Sequence, residues 1–486
     1  MISSAEVNKK QFDFKKCHFR RVLLRILYFG WNYQGLAVQE DTTQTIEHHL
    51  FHALTKSCLI ENRESSQYHR CGRTDKGVSA FGQVISISLR SKHPPDQQNI
   101  PESINSELPY CKTLNRLLPK DIRAVAWMPI PDDKPDYSAR FDCKKRQYKY
   151  YFPRSNLDLD KMKEACHSII GLKDFRNLCK MDVGNGVTEF YREIFKANII
   201  PMDDNDKDKP TSMYCLQIEG NAFLWHQIRC IMGLLLLIGE GNEEPDVISK
   251  LLDVENYPRK PQYNMALDLP LNLYNCSYDL EDSNEWIYDF NELKSVIKIL
   301  QSDWTIHSIK LTMIFDALRQ LELEYSKLSE KKEEDINQKS KVLAYNDCLL
   351  QGVKSKVYTP LLKRETCTLT VVDASNNNIR CTNWLDRPEK YHDHTEDRRE
   401  VEAIPRFRLT TFPPDVKWRC LRKMDEREGA GRRDGVMLPN TMETLLELRK
   451  KLNIFVELFG GKPFGVSFAE AISCLPLVQS PPFAAF

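Results

Sequence analysis

No apolar run in this chain is long enough to span a bilayer: the longest covers residues 230–238, whereas a spanning helix takes about 20 residues. The first sixteen residues also lack the apolar centre of a signal peptide, so neither membrane insertion nor secretion is expected. Net charge is almost absent, +1 from 69 basic and 68 acidic residues, which by itself argues neither for nor against an anionic partner. The 15 cysteines are odd in number and scattered, with no Cys-x-x-Cys pair. That excludes a disulfide scaffold and a zinc finger as first readings, and suggests reduced thiols in the nucleus or cytosol with no metal site.

What is present is a chain of 486 residues, 41% hydrophobic and 28% charged, long enough for two or three domains with their own cores. Charge is distributed unevenly. Residues 1–90 carry 13 Lys and Arg against 8 Asp and Glu, and residues 140–154 carry six basic side chains against Asp142 alone. Such local basic surface suits a polyanion such as RNA, although a solvated charged face reads the same way in sequence.

The hydrophobic pattern alternates between periods of two and 3.6. Residues 22–28 read as a strand running into the Gly30–Gly35 loop, and residues 84–89 as a strand with Ile85, Ile87 and Leu89 on one face and Ser86 and Ser88 on the other. Residues 146–152 and 214–219 alternate likewise. Between them, Ile46, Leu50, Phe51 and Leu54 fall on one helical face after the caps at Thr42–Thr45, leaving His48, His49 and His52 towards water. A His48/His52 metal pair lacks a further Cys or carboxylate to complete it. Residues 223–238 predict a helix apolar almost all round, 286–325 further helices, and 326–341 a charged connector. Strands with antiparallel turns interspersed with helices give an α+β class. Beyond residue 368 only Met442, Leu445, Leu446 and Leu452 suggest an amphipathic helix.

Three places carry chemistry. Asp75 lies between Arg73 and Lys76 and is flanked by Gly72 and Gly77, just ahead of a strand. The glycines allow a tight turn and the adjacent cations favour an ionised carboxylate, the form a nucleophile needs; a plain turn with solvated charges fits the same run. Arg229 stands among Ile228, Ile231, Met232 and Leu235 in a helix that must be buried. A buried guanidinium requires a partner, and Asp75, Glu219 and Glu240 are the candidates, unless the side chain reaches out from the helix edge. Tyr148, bracketed by Lys144, Lys145, Arg146 and Lys149, has the aromatic-among-cations setting of a base-stacking platform, and equally that of a core tyrosine. His69, Arg70 and Arg73 are suitably near Asp75 to hold phosphates or to fill the gap left by a displaced base.

The run Y-H-R-C-G-R-T-D-K-G-V-S-A-F-G-Q-V at 68–84, R-Q-Y at 146–148, and N-A-F-L-W-H-Q-I-R at 221–229 with Gly233 resemble three ordered motifs of the TruA-type tRNA pseudouridine synthases. Residues 171–182, 262–276 and the stretch reaching Y-T-P-L-L at 358–362 resemble the eukaryotic branch that acts on tRNA positions 38 and 39. The likeness covers roughly residues 20–365. It implies two RRM-like α/β subdomains whose continuous antiparallel sheet floors a basic cleft, a helical extension, a homodimer, tRNA as partner, and no cofactor or metal. It also implies Asp75 as nucleophile, Arg229 as its ion-pair partner, Tyr148 stacking on the flipped uracil, and Arg73 helping to extrude the base.

The expected organisation is a disordered basic N-terminus (1–20), subdomains at 21–155 and 156–285, a helical extension with charged connector (286–367), and an unassigned tail (368–486). The expected compartment is nucleus, cytoplasm or both. A non-catalytic RNA chaperone on the same fold is the alternative from another class. A phosphoryl transferase would need a magnesium site, and no cluster of carboxylates accompanies Asp75.

Overall fold

The computed structural model describes residues 12–180, 187–282, 285–331, 345–352 and 357–366; the late helix expected at Met442–Leu452 lies outside them. The β-favouring runs form β1 (His18–Tyr28), β2 (His69–Arg70), β3 (Ser79–Ser91), β4 (Ile122–Pro129), β5 (Cys143–Pro153), β6 (Gly171–Asp174), β7 (Tyr191–Pro201), β8 (Met213–Gly220) and β9 (Leu271–Tyr278). The helices are α1 (Ile46–Lys56), α2 (Pro101–Asn105), α3 (Tyr110–Asn115), α4 (Leu159–Ser168), α5 (Gln227–Gly239), α6 (Asp246–Leu252) and α7 (Phe290–Lys331). One sheet of nine strands runs β4-β1-β3-β9-β5-β8-β7-β6, with the short β2 on β3. The class is α+β.

A single sheet was expected, but one junction differs in sense. β3 and β9 pair in parallel, Ser79 opposite Asn272 and Ala80 opposite Leu273, while every other strand pairing among the described residues is antiparallel. Two parallel strands that start at the same edge bring their entry loops side by side. The loop containing Asp75 enters β3, and the segment ending at Pro270 enters β9, so this junction sets the site geometry. β5, expected within the first subdomain, hydrogen-bonds to β8 and β9.

β3 is central rather than half-solvated. Ser86 is as buried as Ile85 and Ile87, and its hydroxyl accepts from the backbone N–H of Ala139 at 3.1 Å, so the expected polar face is covered by residues 138–139. All thirteen residues of α5 are buried, as an all-round apolar helix requires. At roughly 1.5–3 kcal/mol for each fully buried large aliphatic side chain, Leu234, Leu235 and Leu236 alone make it a strong anchor. The helix begins at Gln227, four residues later than expected, because His226 adopts a left-handed conformation (φ 57°, ψ 10°) that stops helical geometry from extending backwards. The residues before it form a loop instead. At Gly233 a Cβ would come within 2.5 Å of the Asn264 carbonyl, so the chain crosses α5 there at backbone contact.

α1 matches its caps: the Thr45 hydroxyl accepts from His48 N–H at 3.3 Å, and Ile46, Leu50 and Leu54 are buried. Glu47 is fully buried too, which its position beside the apolar stripe did not suggest. The helices expected over 286–325 form one continuous helix, α7. Among the described residues no helix is long and apolar enough to cross a membrane.

Candidate active site

The Asp75 loop leaves the sheet where Cys71 N–H donates to Val84 O at 2.8 Å and Gln83 Nε2 donates to Gly72 O at 2.9 Å. It turns where Val78 N–H donates to Asp75 O at 3.2 Å. Of the two flanking glycines only Gly77 needs its conformational freedom, with φ +76° and a Cβ position 2.9 Å from Asp268 Oδ1; Gly72 faces open space. The neighbouring 33–36 segment clamps the loop: Gly77 N–H donates to Tyr33 O at 3.2 Å and Leu36 N–H to Thr74 O at 3.1 Å. Beneath it, the Tyr28 hydroxyl meets Thr74 Oγ1 at 2.7 Å. A backbone held at so many points fixes the carboxylate in space before any ligand arrives.

The Asp75 side chain keeps 32% of its surface open. Partial burial raises its carboxyl above the ordinary range; the Arg229 guanidinium, a hydrogen bond from the Trp225 side chain and the Lys180 cation pull it back down, while Asp268 pushes it up. The cations acting on Asp75 are therefore Arg229 and Lys180, 154 and 105 residues further along the chain. Arg73 and Lys76, its sequence neighbours, are exposed. His226 Nε2 lies 3.4 Å from Asp75 Oδ2. Burial first, and then Arg229, Lys180 and Lys260, push the imidazole down to about 2, so it is neutral at any working pH. Its Nδ1 is buried without a hydrogen-bond partner. The Trp225 ring lies 4.8 Å from the His226 ring, and Lys180 caps the indole at 4.3 Å from its centroid. Trp225, His226, Lys180 and Asp268 were absent from the expected site, although Trp225 and His226 stand within the 221–229 motif.

Arg229 is buried, its side chain 4% exposed, as its helix demanded. Its partners are none of the three candidate acids. Nε donates to the Ala266 carbonyl at 2.9 Å, one terminal nitrogen donates to Gln351 Oε1 at 2.8 Å, and the same nitrogen lies 3.9 Å from Asp268 Oδ2. Among the described residues no Asp75–Arg229 contact falls within the 4.0 Å of an ion pair, so Arg229 acts on Asp75 through space. The reason is topological: segment 264–268, crossing α5 towards β9, lies closer to the guanidinium than the Asp75 loop does.

Tyr148, on β5, is 8% exposed, with its ring edge-to-face against Phe223 at 5.2 Å between centroids. Its electrostatic neighbours include Cys71 and Tyr28, which ties it to the underside of the Asp75 loop. Arg146 points inward, donating to the carbonyls of Asn221, Cys71 (3.1 Å) and Arg140 (2.8 Å), and thus staples β5 to both motif loops. Arg70 pairs with the buried Glu47, which also accepts from Tyr68 (2.9 Å) and Arg63 (3.1 Å). His69 and Arg73 are exposed, His69 lying edge-on to the exposed ring of Phe141 at 6.2 Å. Cys71, Cys143 and Cys276 bring their thiols within 4.8 Å of one another where the two halves of the sheet meet.

Residues 165–279 match the family model described as tRNA pseudouridine synthase. A Bos taurus protein named tRNA pseudouridine(38/39) synthase is 40% identical over 430 residues, 85% of this chain and 88% of that protein. A Homo sapiens protein of the same name is 43% identical over 381 residues, 75% of this chain and 78% of that one. The Saccharomyces cerevisiae protein of that name is 41% identical over 297 residues, 60% of this chain and 65% of its own length.

Proposed function

The chain belongs to the tRNA pseudouridine synthase family, and from that premise we propose that it isomerises uridine to pseudouridine at positions 38 and 39 of the tRNA anticodon arm, with Asp75 as nucleophile. The observation that carries this reading is one partly open carboxylate with His226 at 3.4 Å, a hydrogen bond from Trp225 and the field of Arg229, all from a single motif about 150 residues further along the chain. A carboxylate used only to cap a turn needs no such surroundings.

The reaction balances without a co-reactant. Asp75 attacks the flipped nucleotide at C1′ or C6, the N1–C1′ bond breaks, and the base turns within the pocket. C5 then bonds to C1′, the bond to Asp75 breaks and releases the carboxylate, the hydrogen on C5 leaves as a proton, and N1 gains one. Nothing is oxidised or reduced, which agrees with a site that calls for no cofactor. Tyr148, in contact with Phe223, provides the aromatic face for the extruded uracil. Arg229 offsets the charge of the attacking carboxylate. Exposed Arg73 and His69 contact the RNA and help to keep the base out of the stack, while Arg70, committed to Glu47, holds β2 in place.

Two wider features belong to the same reading. The halves of the sheet, β1–β4 and β5–β9, act as RRM-like subdomains flanking a basic cleft for RNA, in a protein of the nucleus, cytoplasm or both. The enzyme works as a homodimer through α7: Leu311, Ile314, Leu318, Leu321, Tyr325 and Leu328 follow the 3,4 spacing of a coiled-coil seam, and Leu311 (68%) and Leu321 (69%) are exposed. An isosteric Asp75→Asn substitution is expected to lower kcat on a tRNA transcript by more than about 10³-fold with little change in tRNA affinity. Retained turnover in that variant would remove Asp75 as the nucleophile.

A further inference from the structure

The chain returns to the catalytic half after α7. Leu267 N–H donates to Leu349 O at 2.7 Å, Gln351 N–H donates to Met265 O at 3.1 Å, and Ala266 and Leu350 form an antiparallel bridge. The end of the 3-10 turn at Asp347–Leu349 and the two residues after it thus pair by backbone with segment 265–267, which itself lies across α5. Leu349 is buried, and Gln351 Oε1 accepts from Arg229 at 2.8 Å. The next residue, Gly352, has φ +96° and turns the chain away beside Asn264. Further along, the Tyr358 hydroxyl and the Leu361 N–H both donate to Glu243 Oε1 at 2.6 Å, with Leu361 fully buried.

We propose that Gln351 is a positioning residue for Arg229, which makes the segment following α7 a component of the catalytic centre. The argument rests on what surrounds a guanidinium that can donate and never accept. Two neutral oxygens, the Ala266 carbonyl and Gln351 Oε1, hold its orientation at 2.9 and 2.8 Å. Asp268 waits at 3.9 Å, just beyond a direct hydrogen bond. With Gln351 in place the guanidinium keeps its charge available to Asp75. Without that acceptor it can tighten its 3.9 Å ion pair with Asp268 into a direct hydrogen bond, and its support of the Asp75 carboxylate weakens. A neutral amide suits this task, because a carboxylate at 351 would itself neutralise Arg229.

The inference rests on Asp75 being the nucleophile, and the experiment separates the two. Wild type, Asp75→Asn, Gln351→Leu and Gln351→Glu are compared on one tRNA transcript for kcat, KM, Tm and the pH dependence of single-turnover rate. Gln351→Leu, similar in size but without an acceptor, is expected to lose about 10-fold in kcat with KM nearly unchanged, and its acid limb moves to higher pH. Gln351→Glu retains an acceptor, folds as wild type, and moves the acid limb upward as well, so its deficit is larger at pH 6 than at pH 8. A wild-type kcat and pH profile in Gln351→Leu overturns the inference, as does a rate loss that follows lowered Tm with an unmoved acid limb. Activity surviving in Asp75→Asn instead overturns the reading on which it rests.

Discussion

At the scale of single residues, the site is a carboxylate whose ionisation is contested. Burial and Asp268 favour its neutral form, and Arg229, Trp225 and Lys180 favour its charged form, with the neutral form gaining overall. A nucleophilic carboxylate must be ionised, so the rate should fall as pH drops through a limb lying above the usual carboxylate range. Asp268→Asn removes a like charge and should move that limb to lower pH, whereas Arg229→Met should move it higher; an acid limb indifferent to both changes would contradict this electrostatic account. The same shift has a stability consequence of defined sign. A carboxyl raised in the folded state opposes folding once pH exceeds both its unfolded and folded values, and the penalty disappears below the unfolded value of about 3.9. Asp75→Asn should therefore unfold at a higher temperature than wild type at pH 7, with the gain fading towards pH 4. Asp75 was legible in sequence because its glycine-flanked loop precedes a strand, and Arg229 because a guanidinium in an apolar helix needs partners. The partners themselves were not legible: Gln351 lies 122 residues from Arg229, and no local pattern brings them together.

At the scale of elements, the errors in the sequence reading have identifiable causes. Apolar periodicity placed the start of α5 at residue 223, but one left-handed residue, His226, converts four helical positions into the loop that carries Trp225 to Asp75. Alternation placed Ser86 on the face opposite Ile85 and Ile87, and the strand order buries Ser86 as well. The parallel β3–β9 junction left no trace in the pattern of either strand, because two paired residues on each side carry too little periodicity to specify direction. That junction brings Gly77 against Asp268, and this contact is testable. Gly77→Ala puts an L side chain at φ +76° and a Cβ 2.9 Å from Asp268 Oδ1. The left-handed conformation alone costs about 1–2 kcal/mol, so Tm should fall by roughly 2–8 °C, and kcat should fall further than the loss of folded protein explains. An unchanged Tm and kcat would show that the loop has room that this contact denies it.

At the scale of the whole molecule, two motifs more than a hundred residues apart converge on one carboxylate, and the chain beyond α7 returns to support it. The α+β class was readable from alternating periods, and the ordered motifs gave the family; what α7 does was not readable, since an exposed amphipathic helix and a coiled-coil strand share one pattern. If α7 forms the dimer seam, Leu311→Glu with Leu321→Glu should give a monomer by light scattering with unchanged far-UV circular dichroism, and a doubly substituted protein that remains dimeric would place the interface elsewhere. The most direct test of the central claim is to incubate the wild-type protein with unmodified tRNA transcripts and map pseudouridine at single-nucleotide resolution. The account predicts pseudouridine at positions 38 and 39 with wild type and none with Asp75→Ala; product at other positions, or equal product from both proteins, would contradict it.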